Sequence, residues 1–135
     1  MSDVIEELRD ILCDPARAGE RLNELADEFR LGRDVSQLSR ALHSEDSEIV
    51  GLATWILGEL PFVLYDSQAV ISRLWKLTRS NDPSVRFEAL GALFPALRAG
   101  DPATESLLDR LVDDPNVGVR IAARSARDQL THSGA

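Results

Sequence analysis

Cys13, His43 and His132 are the only cysteine and histidines in the chain, and they are the residues best suited to supply a thiolate, a neutral-pH base or a soft metal ligand. Their spacing matches no zinc or iron motif, because none of the three has a partner within the few residues that such motifs use. A phosphate-binding loop, a nucleophile elbow and a helical metal motif are also missing. Free cysteine is among the most buried residue types, so Cys13 is expected as an apolar core thiol. His43 is expected at a helix end, met by solvent. His132 falls in the polar tail "THSGA", which is expected to fray. Neither a catalytic residue nor a metal or cofactor site is expected, which leaves recognition by charge and aromatic surface.

The charge is unevenly placed. The net charge of -8 over 135 residues opposes nucleic-acid binding, which depends on neutralising phosphates with cations. Residues 1–30 carry nine acids against four arginines. Residues 41–72 carry Glu45, Asp46, Glu48, Glu59 and Asp66 and no Lys or Arg. From Arg73 to Arg127 the balance turns to nine basic against seven acidic residues. The start "MSDVIEELRD" is acidic where a signal peptide is basic, and apolar runs such as "IVGLATWIL" fall short of the ~20 residues that span a bilayer. One cysteine cannot form an intramolecular disulfide and suits a reducing compartment. The expectation is a cytoplasmic protein without a membrane or nucleic-acid partner. At 44% hydrophobic and 28% charged residues, the chain fits one domain with a real core.

Helices must position whatever surface does the recognising. Asp-Pro occurs four times, at Asp14, Asp82, Asp101 and Asp114, each time before apolar residues at helical spacing. Aspartate can accept from the orphan N–H groups of a first turn, and proline at the first helical position gives up no hydrogen bond. Asp3 with Glu6, and Asp34, Asp46 and Asp66, read as further caps; Gly32 and Gly100 read as left-handed helix ends. No segment alternates with the period of a strand. The spacing predicts eight helices near 3–13, 15–30, 34–43, 47–60, 67–79, 84–98, 102–112 and 117–130. Pro95 is expected to bend the sixth, since its ring clashes with the carbonyl of Gly91.

These helices repeat. Val119, Arg120, Ala123 and Ala126 follow Val85, Arg86, Ala89 and Ala92 by 34 positions, and Ile49, Ala53, Ile56 and Leu57 precede Val85, Ala89, Ala92 and Leu93 by 36. Leu42, Leu77 and Leu111 keep the same step in the preceding helices. Each unit is a helix ending in Leu, an Asp-containing turn, and a second helix with Ala at its crowded positions. Such a pair cannot bury its apolar faces alone, so stacked copies make the core.

This pattern resembles the HEAT-repeat family in Asp82, Pro83, Val85, Arg86, Ala89, Ala92 and Leu93. The copy at "DDPNVGVRIAARSA" is nearly as close, whereas the copy at Asp46 has Val50 in place of Arg and no Pro. The resemblance runs over about residues 34–130. It implies an all-α fold: a short right-handed α-solenoid of about three helix pairs (33–62, 66–98 and 101–130) behind an N-terminal capping helix pair (1–32), with a tail at 132–135, all one domain. It also implies that Asp82 caps a helix and Arg86 bonds between repeats. The His-Glu pairs of the family's metal-dependent hydroxylases are absent, and its DNA glycosylases need a basic face that this charge balance does not supply.

The family's second helices usually line a binding face. With the alanines inward, the outward stripe holds Leu52, Trp55 and Glu59 in one copy and Glu88, Gly91 and Pro95 in the next. Glu48, Leu52, Trp55, Glu59, Glu88 and Gly91 are therefore the candidate partner-binding residues. Trp55 stands where the next copy has Gly91, so it is open to two readings, groove anchor or half-core residue. Trp75 is expected in the core, and Phe62 and Tyr65 at a seal between copies. The function this favours is a non-catalytic module binding a basic protein partner, as a small acidic immunity or antitoxin-like inhibitor does. The alternative is a scaffold or adaptor subunit, and an enzyme or nucleic-acid repair protein comes third. The oligomeric state stays open.

Overall fold

The computed structural model describes residues 3–133. Eight helices follow one another: α1 (Val4–Leu12), α2 (Ala18–Arg30), α3 (Ser36–Ala41), α4 (Ser47–Gly58), α5 (Gln68–Leu77), α6 (Pro83–Leu93), α7 (Pro102–Leu111) and α8 (Val117–Ser133). Short 3-10 turns at Pro15–Arg17, Phe62–Leu64 and Phe94–Ala96 complete the regular structure, and the described residues contain no strand. Consecutive helices pack as pairs, α1 with α2, α3 with α4, α5 with α6 and α7 with α8. The second members then stack on one another, α2 on α4, α4 on α6 and α6 on α8. The result is a short all-helical solenoid whose core lies between a layer of first helices and a layer of second helices.

The crowded positions are inward, as the repeat requires. Ala53, Ala89 and Ala123 are fully buried, with Val85 and Val119 beside them. Leu42, Leu77 and Leu111, near the ends of the first helices, are buried too. Small residues bring α4 close to α6: a Cβ on Gly58 would sit 3.8 Å from the Ala92 backbone nitrogen. That distance is ordinary van der Waals contact, so the backbones of α4 and α6 approach to within one methyl group of each other.

The caps agree with expectation at five places and differ at three. Asp3, Asp46, Asp82 and Asp101 each accept from a backbone N–H in the first turn of the helix that follows. Asp34 accepts from the Ser36 N–H at the start of α3. Asp14 makes no such bond and precedes a 3-10 turn. Ser67, not Asp66, caps α5 by accepting from Val70. At α8 the cap moves from Asp114 to Asn116, whose side chain accepts from the Val119 N–H. Asn116 is the repeat equivalent of Asp82, so the fourth Asp-Pro pair stands two positions too early to cap. Gly32 and Gly100 take the positive φ values of 119° and 82° that an L side chain resists.

Other departures have plain causes. Proline lacks the N–H that α6 needs, so the helix stops at Leu93 and continues as the 3-10 turn holding Pro95 instead of bending. The Tyr65 hydroxyl donates to the Ala92 carbonyl at 2.8 Å there, and the Tyr65 ring meets Phe62 edge-on at 5.2 Å, so both aromatics seal the junction between pairs. Cys13 is exposed rather than buried, because it falls at the C-cap of α1, where the helix face turns outward. Trp75 is half-buried rather than a core residue. His43 is exposed. Helix α8 runs on through His132 to Ser133 without breaking at 130; Gly134 and Ala135 of the expected tail lie outside the described residues.

The turn inside each pair repeats in detail. The N–H groups of Asp46, Asp82 and Asn116 donate to the side chains of Ser44, Ser80 and Asp114 respectively. Arg86 then donates back to the Ser80 carbonyl, and Arg120 to the Asp114 carbonyl. Arg86 also reaches forward to the next repeat, where its two nitrogens meet the two carboxylate oxygens of Asp114 at 2.8 and 2.9 Å. This fork lowers the Asp114 pKa below its ordinary value, chiefly through the Arg86 hydrogen bonds. Arg86 is thus the inter-repeat residue that the resemblance implied.

Candidate functional site

Stacking of the second helices leaves two neighbouring grooves on their outer face. The first, of about 300 Å³, lies among α2, α4 and α6 and is lined by Glu48, Leu52 and Trp55 from α4, by Glu88 from α6, and by Leu12 and Leu22 from the N-terminal pair. The second, of about 290 Å³, lies between α6 and α8 and is lined by Phe87, Glu88, Gly91 and Phe94 opposite Ala122 and Ala126. Glu88 borders both. Four of the six candidate residues therefore share one groove, and Gly91 stands in the next.

Glu59 lines neither groove. It is the C-cap of α4, and its backbone carbonyl accepts from the Arg30 guanidinium at 3.2 Å. Its charge is still felt across the face: the Glu88 carboxyl is pushed up first by its own burial and then by Glu59. Leu52 and Trp55 are half-buried and packed against the core, so the Trp55 indole is both a packing residue and part of the groove wall. Gly91 is exposed, and an added Cβ would meet nothing within 4 Å.

The acids of this face join no ion pair among the described residues. The ion pairs among the described residues join Arg17 to Glu20, Arg30 to Asp27, Arg33 to Glu7 and Glu28, Arg86 to Asp114, and Arg127 to Asp109. Glu48, Glu59 and Glu88 take part in none of them, and neither do Glu45 and Asp66, which lie outside both grooves. Apolar walls with unpaired carboxylates above them can seat an apolar side chain flanked by cations. Among the described residues no group of three His, Cys, Asp or Glu could hold a metal ion.

Several groove residues were not singled out from sequence. Leu12 and Leu22 belong to the N-terminal pair, and only the packing of that pair on α4 brings them to the groove. Phe87 is 44% exposed and Ile121 60% exposed. Both directly follow the Val-Arg pair of their repeats, at the position that Gly51 holds in the preceding copy. That column was the available signal.

The model of the HEAT-repeat family matches residues 35–127, which is more than half of the chain. The chain belongs to the HEAT-repeat family, whose repeats mediate protein–protein interaction and whose members are typically non-catalytic scaffolds. No curated protein and no solved structure matches it. No helix among the described residues is long and apolar enough to cross a membrane.

Proposed function

We propose that the outer face of α2, α4, α6 and α8 is a docking surface for a protein with a basic surface, and that the chain acts by occupying that partner, in the manner of a small acidic inhibitor. The observation that supports this most is the union, in one groove, of a half-buried tryptophan and carboxylates that take part in no ion pair among the described residues. Trp55, Leu52 and Leu22 supply the apolar wall, Glu48 and Glu88 the rim, and Glu59 a further negative charge on the same face. Like charges held without counterions raise the encounter rate with a basic partner, an effect screened over about 8–10 Å at physiological salt.

The test begins with affinity capture from native lysate by the parent and by the Glu48→Lys/Glu59→Lys variant. The reading expects a basic protein held by the parent and lost by the variant. Capture indifferent to the reversal contradicts it. An adaptor role is the second reading, and a recess of opposite charge on the first-helix layer favours it.

A further inference from the structure

A third recess, of about 310 Å³, opens between α5 and α7 on the layer of first helices. Trp75 and Leu107 line it with Lys76, Arg79 and Arg110. Lys76 and Arg79 are exposed, and no carboxylate of the described residues pairs with either. Arg110 is fixed by neutral groups: its nitrogens donate to the Thr78 carbonyl and hydroxyl at 2.9 and 3.0 Å. The acid felt by Arg110 is Asp114, and both of its oxygens already accept from Arg86. Burial first, and then the charge of Arg79, lowers the Arg110 pKa, and the opposing pull of Asp114 does not restore it.

We propose that this recess is a docking site for an acidic peptide segment, which lays an apolar side chain against Trp75 and Leu107 and sets carboxylates on Lys76, Arg79 and Arg110. Arg110 is already immobilised by Thr78, so little side-chain freedom remains to be lost when a carboxylate arrives. The apolar wall distinguishes the site from a bare basic patch. A polynucleotide is disfavoured, since three cations neutralise few phosphates and the chain as a whole carries -8. This site is independent of the acidic grooves, and together they would let one chain hold two partners of opposite charge.

The experiment pans a random-peptide display library against the full chain and measures the recovered peptides on variants checked for unchanged helical content. The expected binders are rich in Asp and Glu and carry an apolar residue. Lys76→Glu/Arg79→Glu should weaken them by at least about tenfold, since two close charge pairs turn repulsive. Trp75→Leu should weaken them as well. The same change of net charge made at Arg9→Glu/Arg124→Glu should leave binding intact, as should Glu48→Lys/Glu59→Lys. Binders without acidic enrichment would overturn the proposal, and so would acidic binders indifferent to reversal at Lys76 and Arg79. Parent chains that dimerise in sedimentation and lose the dimer on that reversal would assign the recess to a second copy instead, and overturn it too.

Discussion

The junction between α4 and α6 and the junction between α6 and α8 are built from equivalent positions by different chemistry. At the second, Arg86 forks onto Asp114, with side chains only 13% and 6% exposed. At the first, the equivalent positions are Val50 and Ser80, and both members of the ion pair are absent together. There α4 and α6 meet through small residues, with Gly51 facing Val85 and Gly58 facing the Ala92 backbone. One junction is fixed by a satisfied charge pair, and the other by shape. The difference extends to charge: the repeat that lacks the internal cation also carries Glu48 and Glu59, which join no ion pair among the described residues.

Removing the lock should have the largest effect. Asp114→Ala leaves Arg86 partly buried without its partner and frees the Asn116 N–H, and loss of one member of a buried pair costs about 3–5 kcal/mol. Denaturant unfolding measures it, and a loss below about 1 kcal/mol would mean that shape alone fixes both junctions. Next comes the shape-fixed side of the comparison. Ala89 is fully buried, so Ala89→Leu should overpack α6 and cost about 1–3 kcal/mol. Gly91, two positions on, has free space, and Gly91→Ala should instead gain about 0.5–1 kcal/mol from helix propensity. A parent-like melt for Ala89→Leu would break the repeat register.

Acid sharpens the contrast. The folded pKa of Asp114 lies below its unfolded value, so its stabilisation is present above the ordinary aspartate range of about 3.9 and is lost as pH falls through the folded value. Glu88 has the opposite sign: its folded pKa is raised, so its contribution is present below the unfolded value and is lost as pH rises through the folded one. Asp114→Asn should flatten the acid limb of a stability–pH curve. Glu88→Gln should flatten the mildly acidic stretch above the ordinary glutamate range. An unchanged acid limb in Asp114→Asn would deny Asp114 its part in the lock.

The repeat register was readable because it rests on size: alanine, valine and leucine recur at fixed steps, and only one inward packing satisfies them. Arg86 was readable as an inter-repeat residue by family pattern, but its partner was not, since Asp114 follows it by 28 positions and stood in an Asp-Pro pair that looked like a cap. Cys13 and Trp75 failed for a common reason. Average burial of a residue type says nothing about whether a helix face happens to meet a neighbour there. The groove was half readable: the outward stripe on α4 and α6 follows from helical spacing, whereas Leu12 and Leu22 reach it through tertiary packing alone.

The smallest stability effect belongs to the acidic face, and there the central claim is most directly open to measurement. Glu48 and Glu59 are exposed and unpaired, so Glu48→Lys/Glu59→Lys should move the melt by no more than about 0.5 kcal/mol. The decisive measurement is the association rate of the captured basic partner with parent and variant at low and at high salt. The account predicts a rate for the parent that falls with added salt, and a slower, nearly salt-independent rate for the variant. An association rate indifferent to both salt and reversal would leave these carboxylates as ordinary solvated residues and contradict the account.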